Sequence, residues 1–380
     1  MPRPTVRHRP FGTTPEGEDV TLWHLASPSG VYAEILTYGG VLHALGVPDA
    51  AGRTANVVLS LPTLDRYAEK SPYLGALIGR YANRIAHGRF PLGGTVHEIP
   101  ANDRGHALHG GPRGFDARVW EAEPFTDGDT AGLRLRLHSP DGDMGFPGAL
   151  DVTAVYALDA AGTLALDCAA TTDRTTVVSL SHHAYFNLAA DGGDVLDHTL
   201  GVDGAGHLPV DPDGIPLGPV ADVTGTPFDL TSPRRLGDGV LAGGDEQIRR
   251  AGGYDHCWAL SGGEAGETAV PRRAARLAAP DGTRAMEVWT TAPGLQVYTA
   301  NQLDGTLTDP AGRPLPRHGA VCLEPQHFPD APNRPAYPSA VLEPGAVGRR
   351  RTEFRFPGLP GQGQGQEEGT GRLRPPGASR

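Results

Sequence analysis

Apolar and polar residues alternate along much of this chain, and that period of two limits what it can fold into. LRLRLH at 133–138 is the cleanest case, a half-buried strand with its arginines outward. VYAEILTYGGVLHALGVPD (31–49) reads as two strands hinged at Gly39-Gly40. LDVTAVYAL (150–158) and TLALDCAATT (163–172) read as a pair joined by a turn over 159–162. RAMEVWTTAPGLQVYTAN (284–301) reads as two more strands, broken at Pro293-Gly294. Helical signal is scarce: TLDRYAEK (63–70) predicts one short helix capped by Thr63. The 53 glycines and 36 prolines, about a quarter of 380 residues, are spread between apolar runs and supply turns. No repeat of fixed period is visible. Many short strands with turn signals between them predict an all-β sandwich or barrel. From Pro357 the chain reads PGLPGQGQGQEEGTGRLRPPGASR, too poor in apolar residues to offset its ordering entropy. Residues 1–356 are therefore expected to form one domain and 357–380 a disordered tail.

Charge and composition exclude several function classes. The net charge is −11, so there is no electrostatic footprint for nucleic acid and no basic stripe for an anionic membrane. No run of 18 apolar residues predicts a membrane span. The N-terminus lacks an apolar signal-peptide core. Cys168, Cys257 and Cys322 are far apart and form neither a disulfide framework nor a zinc motif. A cytoplasmic location follows as the expectation. Lys70, the only lysine, lies in a short polar segment, and no phosphate loop is present. Schiff-base and Walker-type chemistry are thereby disfavoured.

SLSHHAYFNL (179–188) raises the sharpest question, because two histidines are adjacent. Successive strand residues point to opposite faces. Val178, Leu180, His182, Ala184, Phe186 and Leu188 form a mostly apolar row, whereas Ser179, Ser181, His183, Tyr185 and Asn187 form a polar one. His183 is thus expected to face a wet cleft and His182 to face packing. Either histidine alone reads first as a hydrogen-bonded structural residue, and only partners elsewhere in the chain can shift that.

Five further clusters place polar groups between apolar or glycine residues: GRYANRIAHGRF (79–90), NDRGHALHGGPRGFD (102–116), GGYDHCWAL (252–260), LQVYTAN (295–301) and LEPQHFPDAPN (323–333). A concave site needs such fixed polar groups on a shaped wall. Glu324 follows Ala320–Leu323 and precedes Pro325; partial desolvation there raises a carboxyl pKa and suits it to take protons. A solvent-exposed acid at a strand end is the alternative. Glycines around His109 permit close backbone approach. His106 and His109 are three apart, but Gly105, Gly110 and Gly111 oppose the helix that metal ligation at that spacing would need. Arg84 needs acceptors for its guanidinium, and structural pairing would serve as well as a ligand. Asp255, after Gly252, Gly253 and Tyr254, is placed to accept two hydroxyl protons or to sit in an exposed turn.

Taken together, NRI with its neighbouring glycines, HALHGG, H-x-YFNL, GYDH, QVYTAN and LEPQHFPDAPN resemble the aldose 1-epimerase (galactose mutarotase) family, from about Phe11 to Phe356. The resemblance implies a large antiparallel β-sandwich with few short helices. It implies Glu324 as general base and His183 as general acid, the same histidine that the alternation selects. Asn83, Arg84, His109, Asp255 and Gln296 match positions that hold the sugar hydroxyls and ring oxygen. No cofactor and no metal are implied, and the partner is a monosaccharide; monomer and homodimer both remain open. Two positions depart from the family: His182 stands where asparagine is usual, and Ala184 replaces a hydroxyl residue. The implied reaction interconverts the α and β anomers of a free aldohexose. An epimerase of hexose 6-phosphates and a non-catalytic sugar-binding module are the alternatives. A dianion would be repelled by Asp255 and Glu324, and a mere binder would not need both Glu324 and His183.

Overall fold

The computed structural model describes residues 3–262 and 269–359. The expected tail lies, from residue 360 onward, outside the described residues. Antiparallel strands dominate, and three sheets organise them. A five-stranded meander contains Thr5–Thr13, Asp19–Ala26, Tyr32–Leu36, Leu42–Pro48 and Thr54–Asn56. A nine-stranded sheet runs in the spatial order Glu121–Asp127, Thr130–Ser139, Leu150–Asp159, Leu164–Thr172, Gly348–Arg355, Ala285–Thr290, Arg272–Ala278, Thr199–Val202, Arg234–Arg235. A six-stranded sheet runs Tyr185–Phe186, Val321–Gln326, Gly294–Tyr298, Asp255–Ala259, Gly206–Leu208, Ala221–Asp222.

The period-two pattern explains how these sheets stack. Leu133, Leu135, Val152, Ala154, Tyr156 and Leu158 share one face of the nine-stranded sheet. They join one core with Leu25, Ala33 and Ile35 of the meander and with Leu295, Val297, Val321 and Leu323 of the six-stranded sheet. The expected strand pair at 150–172 forms in register, Leu150 opposite Thr172, and closes through a turn with Gly162 at φ 92°. Gly39 and Gly40 adopt φ 63° and 56° at the expected hinge, where a side chain on Gly39 would strike the Asp116 carbonyl. The two strands flanking Pro293-Gly294 enter different sheets.

Helices are few and short. Leu64–Lys70 forms as expected with Thr63 at its N-cap, but the Thr63 side chain makes no cap bond. Leu236–Val240 and Glu246–Ala251 were not anticipated. For the second, the signal is present: Asp245 accepts from the Gln247 and Ile248 amides, and Gly252 closes the helix at φ 70°. None of the described helices is long and apolar enough to cross a membrane.

The segment 176–188 is not one strand but three two-residue pieces. Its alternation survives nonetheless. Val178, Leu180, Ala184, Phe186 and Leu188 enter the main core, while Val177 and Tyr185 join other clusters. The neighbouring strand Val321–Gln326 is buried throughout, with Leu323 on its core side. Leu323→Ala should cost about 2–5 kcal/mol. A denaturant midpoint equal to that of the wild type would refute this packing assignment.

Candidate active site

Sheet register places most of the candidate residues on one face. Gln296 pairs with both Cys257 and Glu324, and the next row is Asp255, Tyr298, Cys322 and Tyr185. Residues in register and two apart share a face. Leu295, Val297, Val321 and Leu323 point the other way, into the core. The polar face therefore presents Asp255, Gln296 and Glu324 together, and His183, two residues before Tyr185, joins them. Backbone bonds hold His183 against the preceding loop: its amide donates to the Ala76 carbonyl at 2.9 Å, and its carbonyl accepts from Gly75 at 2.9 Å.

Asn83, Arg84 and His109 close the site from short strands and turns. Asn83 and His109 both sit in the left-handed region, at φ 64° and 53°, which is uncommon outside glycine. They brace each other. The His109 amide donates to the Asn83 carbonyl at 3.1 Å, and the Asn83 amide donates to His109 Nδ1 at 3.1 Å. The second bond occupies the Nδ1 lone pair, so the neutral ring carries its proton on Nε2 as a donor. Arg84 Nε donates to Asp103 Oδ2 at 2.8 Å, which answers the requirement for an acceptor. The glycine after His109 serves a close approach to the chain itself: a side chain on Gly110 would lie 2.2 Å from the Gly79 carbonyl oxygen.

All seven candidates line one cavity of about 180 Å³, several times the roughly 30 Å³ share of one water. His183 Nε2 stands 3.6 Å from Glu324 Oε1. Glu324 is 2 % exposed, and its Oε2, like His183 Nδ1 and Gln296 Oε1, has no protein partner. Gln296 Nε2 donates to Asp255 Oδ1 at 2.7 Å. Buried polar groups are normally satisfied, so three such atoms in one cavity mark a surface shaped for a polar ligand.

Tyr73, Tyr185, Tyr298 and Gln302 also line the cavity and were missed. Tyr185 and Tyr298 were legible, each two residues from a chosen residue on the same face. Nothing in the sequence around Tyr73 marks it. Its ring stacks on His183 at 5.9 Å and meets His109 edge-on at 4.5 Å. His182 takes the opposite side, against Tyr156 and Phe354. Burial and the adjacent His183 push it down to about 3, and the Gly75 backbone offsets this only in part.

Burial acts on the pair in opposite directions, because it disfavours either charge. Glu324 is raised well above the usual carboxyl value by burial and by Asp255, with Arg84 opposing. His183 is lowered to about 4 by burial. The sequence anticipated the first shift; the second arises because no anion close to His183 outweighs its desolvation.

His109, His183 and Glu324 have metal-type donors within 4.8 Å of one another. His109 does not suit that role, since its Nδ1 lone pair is taken by Asn83 and its Nε2 bears the proton. His106 is committed elsewhere, accepting from the His87 amide at 2.9 Å. A larger cavity of about 400 Å³ lies apart from this site and shares none of its lining residues.

Fold and site together define an antiparallel sandwich holding a buried carboxyl–imidazole pair in a hollow walled by hydrogen-bonding groups. The family described as aldose 1-epimerase matches residues 21–355. The galactose mutarotase of Mus musculus is 38% identical over 353 residues, covering 93% of this chain and 98% of its own. The aldose 1-epimerase of Escherichia coli (strain K12) is 33% identical over 344 residues, covering 90% and 96%. The crystal structure of galactose 1-epimerase from Lactobacillus acidophilus NCFM superposes with a TM-score of 0.81 at 29% identity, covering 93% of this chain and 98% of that one. The chain belongs to the aldose 1-epimerase family.

The raised Glu324 pKa has a consequence for stability. A group bound more tightly to its proton in the folded state contributes stability fully below its unfolded value, about 4.3. That contribution is lost as pH rises through the folded value. Glu324→Gln removes the penalty, so the melting temperature of the variant minus that of the wild type should grow as pH rises from about 4.5 toward neutral. A difference that shrinks over that range would overturn the assignment of Glu324 as a buried, proton-holding carboxyl.

Proposed function

We propose that this protein is an isomerase that interconverts the α and β anomers of free aldohexoses such as glucose and galactose, with Glu324 as general base and His183 as general acid. The observation that carries the residue assignment is their 3.6 Å approach inside a buried cavity, although 141 positions separate them. Family membership and the names of the relatives support the activity.

In the forward step Glu324 takes the proton of the C1 hydroxyl. The C1–O1 bond gains carbonyl character as the C1–ring oxygen bond breaks, and its electron pair stays on the ring oxygen. His183 delivers a proton there. Rotation about C1–C2 presents the other carbonyl face, and closure runs the two transfers backward. The count of protons on the protein never changes: a carboxylate and an imidazolium become a carboxylic acid and an imidazole. Burial favours that second pair of states, so Glu324 pulls and His183 pushes. In this reading, Asn83, Arg84, His109, Asp255 and Gln296 hold the hydroxyls and ring oxygen, and the Nε2 proton of His109 is one donor. Arg84 is the one arginine among the lining residues and is paired with Asp103, which supports a neutral sugar over a hexose phosphate.

The proposal includes residues 1–356 acting as one domain, without a cofactor, in the cytoplasm, as a monomer or homodimer. Three free, buried cysteines accord with a reducing compartment.

Polarimetry on freshly dissolved α-glucose or α-galactose tests the roles. Glu324→Gln and His183→Asn should each lower kcat by about 10²–10⁴-fold, while sugar binding by calorimetry stays largely intact. His182→Asn should change kcat little; the reverse ranking of the two histidines sinks the assignment.

The pair should also set the pH profile. Activity requires one proton shared between the two groups, and the apparent values belong to the pair. The acid limb of kcat/KM should fall near pH 4, where His183 and Glu324 are both protonated. The alkaline limb should lie well above 4.5, where both have lost their protons. An acid limb at the ordinary histidine value of about 6.5 would contradict the buried-pair mechanism.

A further inference from the structure

Three consecutive arginines, Arg349 to Arg351, lie in the strand Gly348–Arg355 of the nine-stranded sheet. Arg351 pairs with Asp167 and Glu353. Arg350 stands in the row that faces inward. Its register partner is Cys168, and the following rungs are Leu166 with Thr352 and Leu164 with Phe354. Cys168, Leu166, Leu164 and Phe354 all belong to the main core. A guanidinium thus occupies a position where the pattern calls for an apolar side chain, and it is half-buried there. Partly desolvating a cation without a counter-charge is costly. Yet Arg350 makes no ion pair among the described residues, and the bond found for it runs from its Nη2 to His327 Nδ1 at 2.9 Å.

Arg350 borders the cavity of about 400 Å³, and the described residues that line it include no aspartate or glutamate. His327 is held neutral well below its usual value by burial and by the Arg350 charge, so it orients the guanidinium without neutralising it. Thr291 and Ser339 also line the cavity. Their hydroxyl oxygens accept from the Arg351 and Val341 amides at 3.1 and 3.2 Å, which leaves each hydroxyl proton to donate. Among the described residues the space therefore offers a guanidinium without an ion-pair partner and two hydroxyl donors, with no carboxylate lining it, in a protein of net charge −11. Guanidinium forks match oxyanions of planar or tetrahedral shape.

We propose that this cavity is a binding site for a phosphate-type oxyanion, with Arg350 as its charged ligand. The anion completes an ion pair that the chain leaves open. It binds on the core side of residues 178–180, apart from the hollow that contains Glu324 and His183. The phosphate is supplied either as the free ion or as the phosphoryl group of a sugar phosphate.

Calorimetric titration of the full chain with sodium phosphate, against sodium chloride at equal ionic strength, tests the site. Phosphate should bind at one site at least ten-fold more tightly than chloride, and Arg350→Gln should weaken it at least ten-fold. Glucose 6-phosphate is titrated in parallel. Binding in competition with inorganic phosphate assigns the phosphomonoester, whereas binding of inorganic phosphate alone assigns the free ion. Equal responses to phosphate and chloride in the wild type overturn the proposal, and that arm requires no variant to fold. Retention of phosphate affinity in Arg350→Gln overturns it as well. Should that variant fail to fold, Ser339→Ala replaces it, with an expected loss of about three-fold, and unchanged affinity there overturns the site.

Discussion

One carboxyl and one imidazole, buried together 3.6 Å apart, form the constraint on which the site depends. In water each group would settle near its ordinary value and neither would drive a proton anywhere. Burial moves the two apart, Glu324 upward and His183 downward. The charged pair is then the costly state in an empty cavity and the neutral pair the favoured one. In the proposed reaction, opening a sugar ring would carry the protein from the first state to the second. In that reading, desolvation makes the transfer to Glu324 run downhill from the charged pair, while the same desolvation sets the cost of populating that pair. Asp255 adds to this by raising Glu324 further, and Arg84 opposes it. The site is a balance of nearby charges inside a low-dielectric hollow, and hydroxyl groups of a bound sugar would provide the solvation that the walls withhold.

Holding that balance requires walls that do not yield, and the sheet provides them. Three adjacent strands bring Asp255, Gln296 and Glu324 into neighbouring rungs. Their reverse faces are locked in the main core by Leu295, Val297, Val321 and Leu323. A one-residue slip in any of these strands would exchange polar and apolar faces, so the hydrophobic pattern that fixes the sandwich also fixes the chemistry. This is why Leu323 and Glu324, adjacent in sequence, make opposite contributions: one side chain stabilises the sheet, and the next is a buried carboxyl facing the cavity.

Much of this was legible because it follows from a period of two. The strands at 31–49, 133–138 and 150–172, the division between His182 and His183, and the desolvated Glu324 all come from alternation and local composition. The parts that were not legible depend on distant partners. The ring of Tyr73 reaches the site through a loop whose sequence contains no distinguishing residue. The downward shift of His183 depends on which side chains enclose it, and no local pattern encodes that enclosure. Arg350 is not marked by the local sequence, since it is the middle of three arginines; only the register with Cys168 reveals that it lies in the row facing the core. Glu246–Ala251 is a different case, since Asp245 and Gly252 were visible as caps and the helix between them is merely short.

The left-handed pair Asn83 and His109 shows how the remaining wall is made rigid. Each such backbone conformation costs on the order of 1–3 kcal/mol and persists only when the surroundings over-determine it. Here the two residues over-determine one another through a reciprocal pair of bonds, amide to carbonyl and amide to ring nitrogen. The Asn83 Oδ1 atom further accepts from the Arg84 amide at 2.8 Å, which orients the next residue toward the cavity. The strain therefore secures more than geometry. By occupying His109 Nδ1 it dictates the tautomer, and by dictating the tautomer it makes the ring a donor to oxygen rather than a ligand for a cation. One backbone amide thus takes a lone pair that a cluster with the elements of a metal centre would need, and leaves an N–H aimed at the cavity in its place.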